Sequence, residues 1–154
     1  MAAPATVRLP ARIAFHAAGT VLVLTFLAHT AAHLAGQTPP STDQERQLLD
    51  LMKSYTLPDI GRTTMELFSG FGLHFSLSLL CFAALGWVLL PWAKRDSCLF
   101  RALSGILALT MLAFTTNSVI HFFLIPTAFQ GLAALLFIAA FALAPRSIAQ
   151  EPAL

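Results

Sequence analysis

From Ala102 to Ala144 the chain runs without a single Asp, Glu, Lys or Arg. A helix needs only ~20 apolar residues to cross the ~30 Å hydrocarbon core of a bilayer, so this stretch is long enough for two crossings. Pro126 is its strong breaker. Proline lacks an amide hydrogen and disfavours helix at the residue before it, yet suits the first turn of a new helix. It predicts a hairpin at Ile125-Pro126-Thr127, between spans of about 100–124 and 127–144. Two further apolar runs cover about 13–36 and 65–90, the first opening after Arg8 and Arg12, the second stopping at Pro91-Trp92-Ala93-Lys94-Arg95. In lipid only helices or closed barrels satisfy the backbone, and no run alternates as a strand would. The expected fold is an all-α membrane protein, a four-transmembrane-helix bundle forming a single integral membrane domain over 1–154, with an outer loop at 37–64.

Composition agrees with this reading and removes competitors. The chain is 57% hydrophobic and 10% charged, against roughly 45–50% and about 25% for an ordinary globular domain. Soluble enzymes and disordered chains are disfavoured, and a net charge of +2 offers no nucleic-acid footprint. A secretory signal peptide at 1–36 is the competing view of the N-terminus, but its 24-position apolar run exceeds a typical h-region of roughly 7–15 residues. Cys81, inside an apolar run, and Cys98, in a basic loop, match neither a CxxC pair nor a zinc framework.

Basic residues set the expected orientation. Arg8 and Arg12 precede the first span, Lys94, Arg95 and Arg101 fall between the second and third, and Arg146 follows the fourth, against Arg46, Lys53 and Arg62 in the long loop. Six against three puts both termini in the cytoplasm and the loop outside, in a bacterial inner membrane. Trp87 and Trp92 fit a cytoplasmic-side aromatic belt. Within the loop, Leu48, Leu51, Met52 and Tyr55 recur at helical spacing, Thr42 and Glu45 form a capping box, and Leu57-Pro58 ends the segment. That predicts an amphipathic helix on the outer surface.

Depth along each span places the polar residues in one outer layer. His29 and His33 end the first span, Arg62 and Glu66 open the second, Asn117 and His121 end the third, and Gln130 starts the fourth. His29/His33, Arg62/Glu66 and Asn117/His121 are i, i+4 pairs, so each shares a helix face. His74 lies about eight residues deeper than Glu66. Polar side chains in spans usually face the bundle interior, which implies a polar pocket near the outer face. His29, His33 and His121 are adequate ligands for a divalent metal, and histidines on facing helices suit haem. Yet His29-Thr30-Ala31-Ala32-His33 lacks the glutamate of a zinc-protease helix. Glu66 with His29 or His33 suits acid–base work. Gly70-Phe71-Gly72 and Gly105 suggest close helix packing.

The block Gly61-Arg62-Thr63-Thr64-Met65-Glu66-Leu67-Phe68-Ser69-Gly70-Phe71-Gly72-Leu73 resembles the hallmark of a family of small, uncharacterised bacterial four-helix membrane proteins. Ala28-His29-Thr30 is similar to that family's Gly-His-Thr, with alanine for glycine, and Phe123-Leu124-Ile125-Pro126 to its entry into the fourth helix. The resemblance implies four spans and picks out His29, Arg62, Glu66 and Gly70; it implies no activity. A looser likeness, in residue types alone, is to the emopamil-binding sterol isomerase type of domain. Three classes stay open: a binder of a small apolar ligand or accessory subunit of a membrane complex, an isomerase- or hydrolase-type enzyme on a lipid-soluble substrate, and a haem or metal carrier. The bilayer is the expected partner in all three, with an oligomer or larger complex compatible with each.

Overall fold

A computed structural model describes residues 7–36, 38–122 and 124–145. Gln37, Phe123 and Arg146, used in the sequence argument, lie outside the described residues. The order is α1 (Leu9–Leu34), α2 (Asp43–Ser54), β1 (Thr56–Leu57), β2 (Arg62–Thr63), α3 (Thr64–Ala93), α4 (Ser97–His121) and α5 (Leu124–Leu143). Four of these helices are long and apolar enough to cross a membrane. The protein is a multi-pass helical membrane protein, embedded in lipid, with a short helix between its first two spans.

Helix ends depart from the periodicity-based limits for identifiable reasons. Pro10 sits in the first turn of α1, where its missing N–H costs nothing. Pro91 lies within the last turn of α3 and does not end it. Asp96 caps α4 by accepting from the amides of Cys98 (2.8 Å) and Leu99 (3.2 Å), so that helix starts three residues before position 100. The α4–α5 break comes at Phe122, upstream of the expected turn, and Pro126 falls in the first turn of α5. The proline is where the new helix tolerates it, rather than where the old one stops.

The chain divides into two compact units, Met1–Thr25 with Leu80–Leu154, and Phe26–Leu79. In the first, α1, α3, α4 and α5 share one core. Phe15 is 1% exposed and meets the rings of Phe100 (5.4 Å) and Phe137 (5.3 Å). Gly86 lets α3 approach, since a Cβ there would lie 3.3 Å from Phe15 and 3.6 Å from Leu107. Gly19 on α1 lies under the Trp87 indole. Arg101 ties α4 to the end of α5, donating to the carbonyls of Phe141 (2.9 Å) and Ala144 (3.1 Å) and stacking on the Phe141 ring.

The second unit holds the end of α1, α2, the β1–β2 hairpin and the start of α3. The Thr42 hydroxyl accepts from the Glu45 amide and the Glu45 carboxylate accepts from the Thr42 amide, so both halves of the expected capping box are present. Helix α2 ends at Ser54, earlier than Leu57-Pro58 implied, because Thr56 and Leu57 pair antiparallel with Thr63 and Arg62. Leu49 and Met52 of α2 are partly covered, whereas Leu48, Leu51 and Tyr55 are exposed.

Candidate functional site

The start of α3 is built by a turn. The Leu57 carbonyl accepts from the amides of Ile60 and Gly61, and Gly61 adopts φ 65°, a left-handed conformation that glycine takes without strain. The returning strand delivers Thr63 to the head of α3. Its hydroxyl accepts from the Glu66 amide (3.1 Å), and its own amide donates to Glu66 Oε2 (2.8 Å). Arg62 Nη1 stands 3.6 Å from Glu66 Oε1. Glu66 therefore caps the helix while forming the expected i, i+4 pair with Arg62.

Below this cap a groove of about 340 Å³ runs along α3, lined by Glu66, Leu67, Gly70, Phe71 and His74. Its floor is Gly70, where an added Cβ would meet no atom within 4 Å. Glu66, Gly70 and His74 follow at i, i+4 and i+8, one exposed stripe of the helix. The His74 imidazole faces outward at its inner end.

His29 and His33 meet a different face of α3. A Cβ on Gly72 would lie 3.4 Å from His33 Nδ1 and 3.8 Å from His29 Cε1. His29 Nδ1 and Ser76 Oγ share a hydrogen bond of 2.8 Å, and the Phe75 ring packs edge-on to the imidazole. Gly70 and Gly72 are ~200° apart around the helix axis, so groove and histidine pair occupy opposite sides of α3. Beside the pair, Thr30 Oγ1 is buried with no hydrogen-bond partner among the described residues.

In the four-helix unit Gln130 is 1% exposed, and its Oε1 accepts from Ser118 Oγ at 2.8 Å, joining α5 to α4. Asn117 and His121 are exposed on the last turns of α4 and are not part of that bond. His16 is exposed, within electrostatic reach of Lys94 and Arg12. Among the described residues no three His, Cys, Asp or Glu side chains converge as a metal site would require.

Three participants escaped the sequence reading. Thr63 and Glu66 repeat the S/T-x-x-E spacing recognised at Thr42 and Glu45, so that signal was in plain sight. Ser76 and Ser118 carry no such mark, because a serine in a span usually bonds its own helix. Compared with protein-family models, with curated proteins and with solved structures, the chain gives no match.

Proposed function

We propose that the groove on α3 binds a lipid-soluble amphiphile, with its polar end near Glu66 and Arg62, its apolar body against Leu67 and Phe71, and a hydrogen bond to His74. The observation that carries this reading is the open floor at Gly70 between one carboxylate and one imidazole on an exposed stripe of an apolar helix. Polar groups in a span need a partner that lipid tails cannot provide, and a bound molecule with polar functions would supply it. Binding is favoured over turnover because the Glu66 carboxylate is engaged by the Thr63 amide and paired with Arg62. A general acid or base must be free to exchange its proton with substrate. In this reading the protein is a ligand-binding or accessory component of a bacterial inner membrane, with both termini cytoplasmic. Cysteine at position 47 then reacts with an impermeant maleimide added outside intact cells; reaction only after lysis would reverse the orientation.

The test of binding uses the full chain in bilayer nanodiscs with a diazirine-bearing long-chain alcohol as probe. Crosslinks are expected on the peptide spanning Leu67–His74, and Gly70→Phe should abolish them without loss of helicity. Crosslinks spread evenly over the spans, or unchanged by Gly70→Phe, would overturn the proposal.

A further inference from the structure

The groove on α3 has a polar side chain at each end, Glu66 at the head of the helix and His74 deeper, with Leu67, Gly70 and Phe71 lining the stretch between them. The two ends have different hydrogen-bonding capacity. Glu66 Oε2 accepts from the Thr63 amide and Oε1 faces Arg62. An ionised carboxylate has about four lone-pair sites, so Glu66 can still accept from a hydroxyl, but it has no proton to give. His74 is the end without a protein partner. It lies ~7 Å along the axis from the midpoint of the 30-residue α3, and so inside a ~30 Å hydrocarbon core. Its ring has no hydrogen-bond partner among the described residues; the Ser78 hydroxyl donates to the His74 carbonyl instead (3.0 Å). An imidazole is too short to reach the headgroups from that depth, and acyl chains offer it neither donor nor acceptor. A neutral imidazole carries one of each, so a hydroxyl or a keto oxygen would satisfy it.

The spacing converts these two ends into a length. Eight helical residues separate them by ~12 Å, and the Glu66 side chain folds back to Thr63, which extends the span to ~12–15 Å. An extended hydrocarbon with C–C bonds of ~1.5 Å advances ~1.25 Å per carbon, so the span equals about ten to twelve carbons. The groove's volume of about 340 Å³ stands near the lower end of the roughly 300–1,000 Å³ of ligand pockets and suits a single chain. We infer that the ligand is a long-chain alcohol with a second oxygen function about ten to twelve carbons from the first. Its terminal hydroxyl donates to Glu66, its inner oxygen pairs with the His74 ring, and the carbons between lie over Gly70 against Leu67 and Phe71. The inference rests on the groove binding an amphiphile and adds a distance that the amphiphile must match.

Competition against the diazirine-bearing long-chain alcohol, on the full chain in nanodiscs, tests this. The competitors are octadecan-1-ol and its 5-, 11- and 15-hydroxy derivatives. The 11-hydroxy compound should displace the photoprobe at about tenfold lower concentration than the other three. His74→Phe should erase that advantage, and His74→Gln, which retains a donor and an acceptor, should preserve most of it. Leu77 is exposed on nearly the same face of α3. Combining His74→Phe with Leu77→His moves the imidazole ~4.5 Å deeper and should pass the advantage to the 15-hydroxy compound. Equal potency of all four competitors, with Gly70→Phe still abolishing the crosslinks, would overturn the second polar contact and leave the amphiphile groove standing. Crosslinks that never concentrate on Leu67–His74 would overturn both. With Cys81 and Cys98 replaced by serine, His74→Cys chains that join through a disulfide in lipid alone would assign the stripe to a second copy of the chain and overturn the inference.

Discussion

Gly70 and Gly72 are two positions apart and have opposite jobs. One leaves space open and the other lets two imidazoles approach a helix backbone. Gly70→Leu should change unfolding stability by no more than about 0.5 kcal/mol, as at an unconstrained surface position. Gly72→Ala should also be tolerated, since its Cβ would make ordinary contacts with His33. Gly72→Leu should overpack the α1 contact and cost about 1–3 kcal/mol, visible in thermal unfolding and in displaced His29 and His33 imidazole resonances. From sequence both glycines suggest the same close packing, because the pattern Gly-Phe-Gly holds no record of which face meets a neighbour. Glu45 offers a pH test outside the spans. Hydrogen bonds from the Ser41 hydroxyl and amide, with a further one from the Thr42 amide, hold its carboxyl below the ordinary 4.5. Because the folded value is the lower one, its contribution is complete above the ordinary value and disappears as pH falls through the folded value. Hydrogen-exchange protection of α2 should be flat from neutrality down to that range and then decline, and Glu45→Gln should flatten the profile.

At the scale of elements, caps proved better guides than prolines or the limits of apolar runs. Asp96, Thr42 and Thr63 each fix a helix start, whereas the run lengths missed the ends by about three residues. The β1–β2 pairing was absent from the sequence reading although Pro58, Asp59 and Gly61 are ordinary turn formers. Two-residue strands carry too little alternation to be recognised. Helix α2 leaves Leu48, Leu51 and Tyr55 uncovered on one side. A helix tethered at both ends to membrane spans can bury such a row in the headgroup boundary. A spin label at position 51 should therefore be more accessible to oxygen than to a polar nickel reagent, and one at position 47 the reverse. Equal accessibility at both positions would show α2 standing clear of lipid.

For the whole molecule, four spans were legible because lipid leaves so few ways to satisfy a backbone. The core around Phe15, Phe100 and Phe137 was not legible, since in spans apolar throughout every phenylalanine looks alike. Phe15→Ala should cost about 3–5 kcal/mol by emptying that centre, whereas Phe71→Ala, at an exposed ring, should alter stability little; both are measured by unfolding in bicelles. The polar residues were found by type and depth, but their partners depend on rotation about each helix axis, which depth does not specify. The short passage from α4 to α5 carries a further consequence. With α4 ending at His121 and α5 beginning at Leu124, no length of chain exists to let one helix wait in water while the other enters the membrane. Biogenesis must deliver the pair as a preassembled hairpin. With the chain arrested inside α5, a cysteine placed in α4 should still react with a water-soluble maleimide, and become protected only once the whole of α5 has left the ribosome.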